Sequence, residues 1–464
     1  MKKTSKIILG ILLLLILLII IYIAKGDPNP DKPSPTNTPP EVDYDVGDFI
    51  PRQYVLSFSD SILENGVMVP LDSAQIELLI DSFIVQGDTI LRRCMCNKMV
   101  LVAPIDTVTP QERRLEAEAK LEPQGEGGEK YGIAGLNYTL QFNPVTDSVQ
   151  LNYQFGFQSI KYRAPSPNDK KAKVAIVDTG FNPSHSELVN NVWVNPNEQS
   201  DALDNDNNCI VNDFNGVDIS THQPGFSFTD GHGTAVAGKV MRALGGGYPS
   251  DVDIQLINVK FTHLDAATNR QTGDLFDAVC GMRYSISAGA AVMTASFGLY
   301  QDSVSPLLEE VVLQAKKHNI TIIAAAGNDS INIDTLPFYP ASFARINGFE
   351  NVISVGAVDD SNQLAGFSNH GKESVLLAAP GVKQDILPLL TGANATTMSG
   401  TSIAVPIVAS TVSIIKAHNP NISTTDLRLC LFKGVSADAL LLNQINKGVF
   451  NSDEALKACG ITPH

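Results

Sequence analysis

The stretch Ala172-Lys173-Val174-Ala175-Ile176-Val177-Asp178-Thr179-Gly180 marks a change in the pattern of the chain. Val174–Val177 is an apolar run of strand length that stops at Asp178, and Gly180 allows a sharp turn just beyond it. From here onward such runs alternate with helical stretches. Val174–Val177, Ile254–Val259, Ala290–Ala295, Ile320–Ala326, Val352–Val358 and Val375–Ala379 read as strands buried on both faces. Thr234–Leu244, Asp274–Ala288, Ser303–His318 and Ser402–His418 read as helices between them. Buried strands alternating with helices predict an α/β fold, a doubly wound, mainly parallel sheet, over residues 171–464. In such a fold the chemistry gathers beyond the carboxyl ends of the strands.

Three polar side chains sit where that rule points. Asp178 ends the first strand. His232 lies in Asp230–Gly238 (DGHGTAVAG), flanked by glycine and opening a helix. Ser402 lies in Met398–Pro406 (MSGTSIAVP), again at a helix start. A lone Asp after a strand is usually a turn residue, and a lone His among glycines is usually solvated. Together the three are the parts of an activated hydroxyl nucleophile. A Ser hydroxyl needs a His to take its proton, and an Asp fixes the His tautomer and stabilises the imidazolium. The unpaired N–H groups at the start of the Ser402 helix can face a developing oxyanion. Asn328, in Ala324–Asn328 (AAAGN) at the end of another strand, offers a second donor to the same oxygen.

VDTG, DGHGTAVAG, AAAGN and MSGTSIAVP, in that order, resemble the main motifs of the subtilisin-like serine proteases, the subtilases. The resemblance covers about residues 172–464. It implies Asp178 as orienting acid, His232 as general base and acid, Ser402 as nucleophile and Asn328 as oxyanion donor. It further implies that Ser296, Phe297 and Gly298 pair with an extended substrate backbone. Ala325 and Gly327, within Ala324–Gly327, would line the pocket for the residue before the scissile bond. Tyr339-Pro340-Ala341 matches a segment near that pocket in which the X–Pro bond is often cis. Ile407 and Ser410 depart from the family's usual residues, which predicts altered packing of the Ser402 helix. Phe297, where a smaller aliphatic residue is common, should reshape the groove.

Asp201–Asp213 (DALDNDNNCIVND) alternates oxygen-bearing residues. Asp204, Asp206 and Asn208 can point oxygens at one hard cation, so structural Ca²⁺ is the metal expectation, against a solvated surface loop as the plainer reading. The pattern is not an EF-hand, because Cys209 stands at the sixth position. No cofactor is expected to be needed for the chemistry. Cys430 and Cys459 flank the C-terminal segment and could staple it. Cys94 and Cys96, one residue apart, are not expected to pair with each other.

Lys2, Lys3 and Lys6 precede an unbroken apolar run from Ile7 to Ala24. As a helix these residues span about 27 Å, enough for a bilayer core. Residues 1–25 therefore read as a cytoplasmic stub and signal-anchor, with a cleaved signal peptide as the competing reading. The implied location is the cell membrane, single-pass, with the catalytic domain outside the cytoplasm, or secretion if the segment is cleaved. Residues 26–48 are Pro-rich and read as a tether. Residues 49–105 read as a small α+β domain, either propeptide-like or a permanent accessory. A propeptide would act as an intramolecular inhibitor. Residues 106–170 read as a linker, with a charged helix at Glu112–Leu121 and a hairpin at Tyr138–Tyr153.

The chain of 464 residues carries 33 Lys and Arg against 49 Asp and Glu, a formal net charge of −16. That balance argues against nucleic acid as a partner. Six cysteines are too few for a disulfide scaffold. The expected partners are protein or peptide substrates. Two other readings stay open: an anchored peptide-binding module without turnover, and a protease whose main substrate is its own N-terminal segment.

Overall fold

The computed structural model describes residues 49–58, 61–64, 67–70, 73–84, 88–94, 99–104, 109–121, 132–140, 166, 168–201, 203–206, 208, 210–221, 231–243, 251–265, 270–392, 396–436 and 441–462. The apolar segment 7–24 and the Pro-rich segment 26–48 lie outside them, as do residues 141–165, which hold most of the expected hairpin. The chain divides into two compact units, the first ending at Tyr138 and the second beginning at Thr139.

The first unit is antiparallel. Strands β1 (Phe49–Phe58), β2 (Thr89–Cys94), β3 (Met99–Ala103) and β4 (Gly132–Leu140) lie in the order β4-β1-β3-β2. Tyr54, Leu56 and Phe58 alternate along β1 and meet Ile76 and Ile80, one turn apart on helix α1 (Ser73–Phe83). This is the period-two strand face packed on an i, i+4 helix stripe. The unit runs past residue 105, where the sequence reading ended it. Helix α2 (Pro110–Leu121) packs on β1 through Ala117, and β4 pairs with β1. A capping box starts α2: Thr109 N donates to Glu112 Oε2 at 2.9 Å, and Glu112 N donates to Thr109 Oγ1 at 3.2 Å. A charged helix betrays little of what its few apolar residues touch, so sequence alone left it in a linker.

The second unit is the expected α/β fold. Its strands are β5 (Lys170–Asp178), β6 (Gly216–Asp218), β7 (Val252–Lys260), β8 (Val292–Ala295), β9 (Thr321–Ala325), β10 (Val352–Val358), β11 (Leu377–Pro380), β12 (Val435–Ser436) and β13 (Val449–Phe450). They form one sheet in the order β12-β13-β11-β10-β9-β8-β5-β7-β6. Every pairing is parallel except β12 with β13. The first strand, β5, lies between β7 and β8, so the winding direction reverses there and opens a crevice at its carboxyl end.

Helices α3 (His232–Arg242) and α6 (Thr401–His418) pack on each other, and α6 packs on β5 and on β7 through β11. Helices α4 (Leu275–Ser287) and α5 (Pro306–Lys317) form another packed pair, with α4 on β5 and β7 and α5 on β9. Among the described residues α6 alone is long and apolar enough to span a bilayer, but it is buried in the core of this unit. Ile407 and Ser410, which depart from the family's usual residues, are both buried in it. Helices α7 (Thr424–Lys433) and α8 (Ser452–Ala458) close the chain. The Cys430–Cys459 disulfide joins them, with Cα atoms 5.4 Å apart. Cys94, in the first unit, and Cys280, in the second, each belong to a disulfide of their own.

Candidate active site

Asp178 ends β5 with its side chain fully buried, and its Oδ1 accepts from Thr179 N at 2.7 Å. His232 opens α3, and its Nδ1 lies 2.7 Å from the same Oδ1. Close packing of α3 on the turn after β5 makes this contact. A Cβ at Gly233 would sit 2.4 Å from the carbonyl oxygen of Gly180, so only glycine lets the helix approach. Two hydrogen bonds then hold the helix to the turn. Gly233 N donates to Thr179 Oγ1 at 3.0 Å, and Asn182 N donates to Thr234 Oγ1 at 3.0 Å.

Ser402 is the second residue of α6 and is buried. Its Oγ has no hydrogen-bond partner among the described residues. Asn328 follows β9. Its Oδ1 accepts from Thr401 N at 2.8 Å and from Thr401 Oγ1 at 2.9 Å, which fixes the orientation of the amide. Gly400 has φ +151°, and a Cβ there would lie 3.0 Å from Ser402 Oγ and 3.6 Å from Asn328 Nδ2. The hydroxyl and the amide nitrogen therefore face the same small volume. An imidazole held by a buried carboxylate can move a proton, and two donors converging beside a hydroxyl can hold an oxyanion.

His232, Ser402 and Asn328 line an open cleft together with Ser296, Phe297, Ala325 and Gly327. All the expected substrate-side residues except Gly298 are thus brought into one cleft, and Gly298 lies against its lining residue Phe338. Ser296 Oγ donates to the carbonyl of Ser402 at 3.3 Å, and Phe297 packs edge-on against Phe261 with ring centroids 4.8 Å apart. The Tyr339–Pro340 bond is cis.

Sequence reading missed four residues here. Asp329 and Phe338 also line the cleft. Asn369 accepts from Asp329 N at 3.1 Å and Ile331 N at 2.9 Å and donates to Ala326 O at 2.8 Å, so it holds the turn that carries Asn328. Thr401, inside a quoted motif, orients the Asn328 amide. An isolated Asn gives no pattern to find, whereas the position of Thr401 before Ser402 was a usable signal.

The acidic loop brings the carboxylates of Glu198, Asp204 and Asp206 within 4.8 Å of one another. Glu198 was not among the expected ligands. Asn208 turns elsewhere: its Oδ1 accepts from Ile210 N at 2.8 Å and its Nδ2 donates to Asp213 at 2.9 Å. Burial raises the pKa of Asp213 to about 6, against the lowering effect of hydrogen bonds from Tyr284, Asn208 and Asn195.

Residues 169–459 match the subtilase family. The thermophilic serine proteinase of Bacillus sp. (strain AK1) is 32% identical over 334 residues, which cover 68% of this chain and 73% of that protein. The cell wall-associated protease of Bacillus subtilis (strain 168) is 29% identical over 66% of this chain and 32% of its own length. The crystal structure of fervidolysin from Fervidobacterium pennivorans, a keratinolytic enzyme related to subtilisin, superposes with a TM-score of 0.57 at 18% identity, covering 88% of this chain and 61% of that one. The last comparison concerns the fold alone. The chain belongs to the subtilase family and is a serine endopeptidase.

Proposed function

We propose that the protein is a membrane-anchored, extracytoplasmic endopeptidase in which Ser402 attacks the peptide carbonyl and His232 takes its proton. Asp178 orients His232 and stabilises the imidazolium. The Ser402 backbone N–H and Asn328 Nδ2 hold the tetrahedral oxyanion. Collapse gives an acyl-enzyme as His232 protonates the leaving amine, and water activated by His232 then releases the acid. The observation that carries this reading is the 2.7 Å contact of His232 with Asp178 in one cleft with Ser402 and the anchored Asn328 amide. Substrate lies extended along Ser296–Gly298, so its main chain supplies much of the binding.

The basic flank and apolar run over residues 1–25 support the anchor. The separate compact unit before the catalytic domain supports a propeptide-like role as an intramolecular inhibitor. Asn328→Ala should lower kcat by roughly 10²–10³ with little change in KM, the size of the corresponding loss in subtilisin. An Asn328→Ala enzyme with unchanged kcat would remove the oxyanion assignment.

Ca²⁺ fits the acidic loop as a structural ion. Glu198, Asp204 and Asp206 offer hard oxygens at the right mutual spacing, and Asn212 Oδ1 is buried without a partner among the described residues. Bound Ca²⁺ at 100 times its Kd would stabilise the fold by about 2.7 kcal/mol. Chelation should therefore lower the melting temperature by roughly 5 °C. Asp206→Asn should melt lower and lose most of that sensitivity. A melting curve unmoved by chelator and Ca²⁺ would rule the ion out.

A further inference from the structure

Gly327, after β9, lines the side of the cleft that would take a substrate side chain, and Gly298, after β8, lies against that lining. Both abut the ring of one residue. A Cβ at Gly298 would sit 2.4 Å from Phe338 Cε1 and Cζ, and a Cβ at Gly327 would sit 3.3 Å from Phe338 Cε1. The space at Gly298 is therefore held by the protein's own aromatic ring, whereas a Cβ at Gly327 would first meet the Asn369 amide at 2.2 Å. The ring is 3% exposed yet lines the cleft beside Ser402 and Asn328.

The ring is braced. Tyr300 and Phe338 are directly opposite in a short antiparallel pair, with centroids 4.7 Å apart. Tyr300 OH donates to Asp329 Oδ2 at 2.6 Å and accepts from Asn369 Nδ2 at 2.8 Å. Phe338 N donates to Ser342 Oγ at 2.9 Å. Swinging the ring out would disturb Tyr300 and, through Asn369, the turn that carries Asn328. In a close-packed site, an aromatic or long aliphatic substrate side chain cannot share this space.

We propose, on the catalytic reading above, that Phe338 is a specificity-determining residue that fills the pocket for the residue before the scissile bond. It restricts cleavage to bonds that follow Gly, Ala or Ser. The test uses the full chain and matched peptides differing only in that residue, Ala, Leu or Phe. Wild type should prefer Ala over Phe by roughly 100-fold in kcat/KM. Phe338→Ala should raise kcat/KM on the Phe peptide at least about tenfold while the Ala peptide changes less.

Labelling of Ser402 by a fluorophosphonate, which requires no peptide side chain, reports the catalytic reading separately. A labelled wild type that cleaves after Leu or Phe as well as after Ala overturns the proposal and leaves the catalytic reading standing. The wild-type ranking decides even if the variant fails to fold, and a folded Phe338→Ala enzyme with unchanged ranking also overturns it. A wild type with neither labelling nor cleavage, both before and after limited proteolysis within residues 141–165, overturns the catalytic reading, and this proposal with it.

Discussion

Ser402→Ala is expected to lower kcat by roughly 10⁶ while the enzyme keeps its affinity for a peptide substrate, the magnitude seen in subtilisin for the same loss. Only the Oγ is removed. The cleft wall, the Asn328 amide and the helix start remain, so binding survives. The residual rate should still exceed the uncatalysed one, because the oxyanion donors do not depend on the nucleophile. The side chains also act as a unit. His232→Ala added to Ser402→Ala should therefore cost little more, since a base without its nucleophile has no proton to take. Steady-state kinetics of the two single variants and the double variant check this. A double variant slower than Ser402→Ala by a further 10³ or more would mean that His232 acts independently of Ser402.

Asp178→Asn is expected to cost about 10⁴ in kcat with the fold intact. The side chain is fully buried, and Asn has nearly the same shape. What changes is hydrogen-bond polarity. Asp178 Oδ1 takes a bond from Thr179 N and lies 2.7 Å from His232 Nδ1. A carboxylate there favours the proton on Nδ1 and leaves Nε2 free to accept. An amide N–H in its place would favour the other tautomer, which cannot take the Ser402 proton. The melting temperature should move far less than the rate. An Asp178→Asn enzyme within tenfold of wild type would show that tautomer control is not what this carboxylate supplies.

Much of the second unit was legible because its signals are local. A strand buried on both faces carries a run of apolar residues, so Val174–Val177 in β5 and most of β10 stand out by composition, and α4 and α5 fill the gaps between strands. The candidate site was legible for a related reason: each of Asp178, His232, Asn328 and Ser402 lies at or just beyond a strand end or at a helix start, inside a short, glycine-marked stretch. The expected Cys430–Cys459 bridge is present in the structure.

What escaped the sequence depends on distant segments meeting. Phe338 reaches Gly298 from forty residues away, and nothing around it marks a pocket filler. Asn369 steadies the Asn328 turn from a loop that carries no motif. Glu198 joins Asp204 and Asp206 only because the loop folds back on itself. In the first unit α2 reads from its charges as a short helix within a linker, yet Ala117 is part of the core and Arg113 forms a buried pair with Asp88 at 3.3 Å.

The most direct test of the central claim is active-site labelling. Wild type and Ser402→Ala, each as the full chain, are treated with a fluorescent fluorophosphonate before and after limited proteolysis within residues 141–165, then run on one denaturing gel. An activated Ser402 predicts label on the wild type and none on the variant, with labelling that rises on cleavage if the N-terminal unit inhibits. A folded wild type that stays unlabelled both before and after cleavage would contradict the account, as would equal labelling of the two proteins.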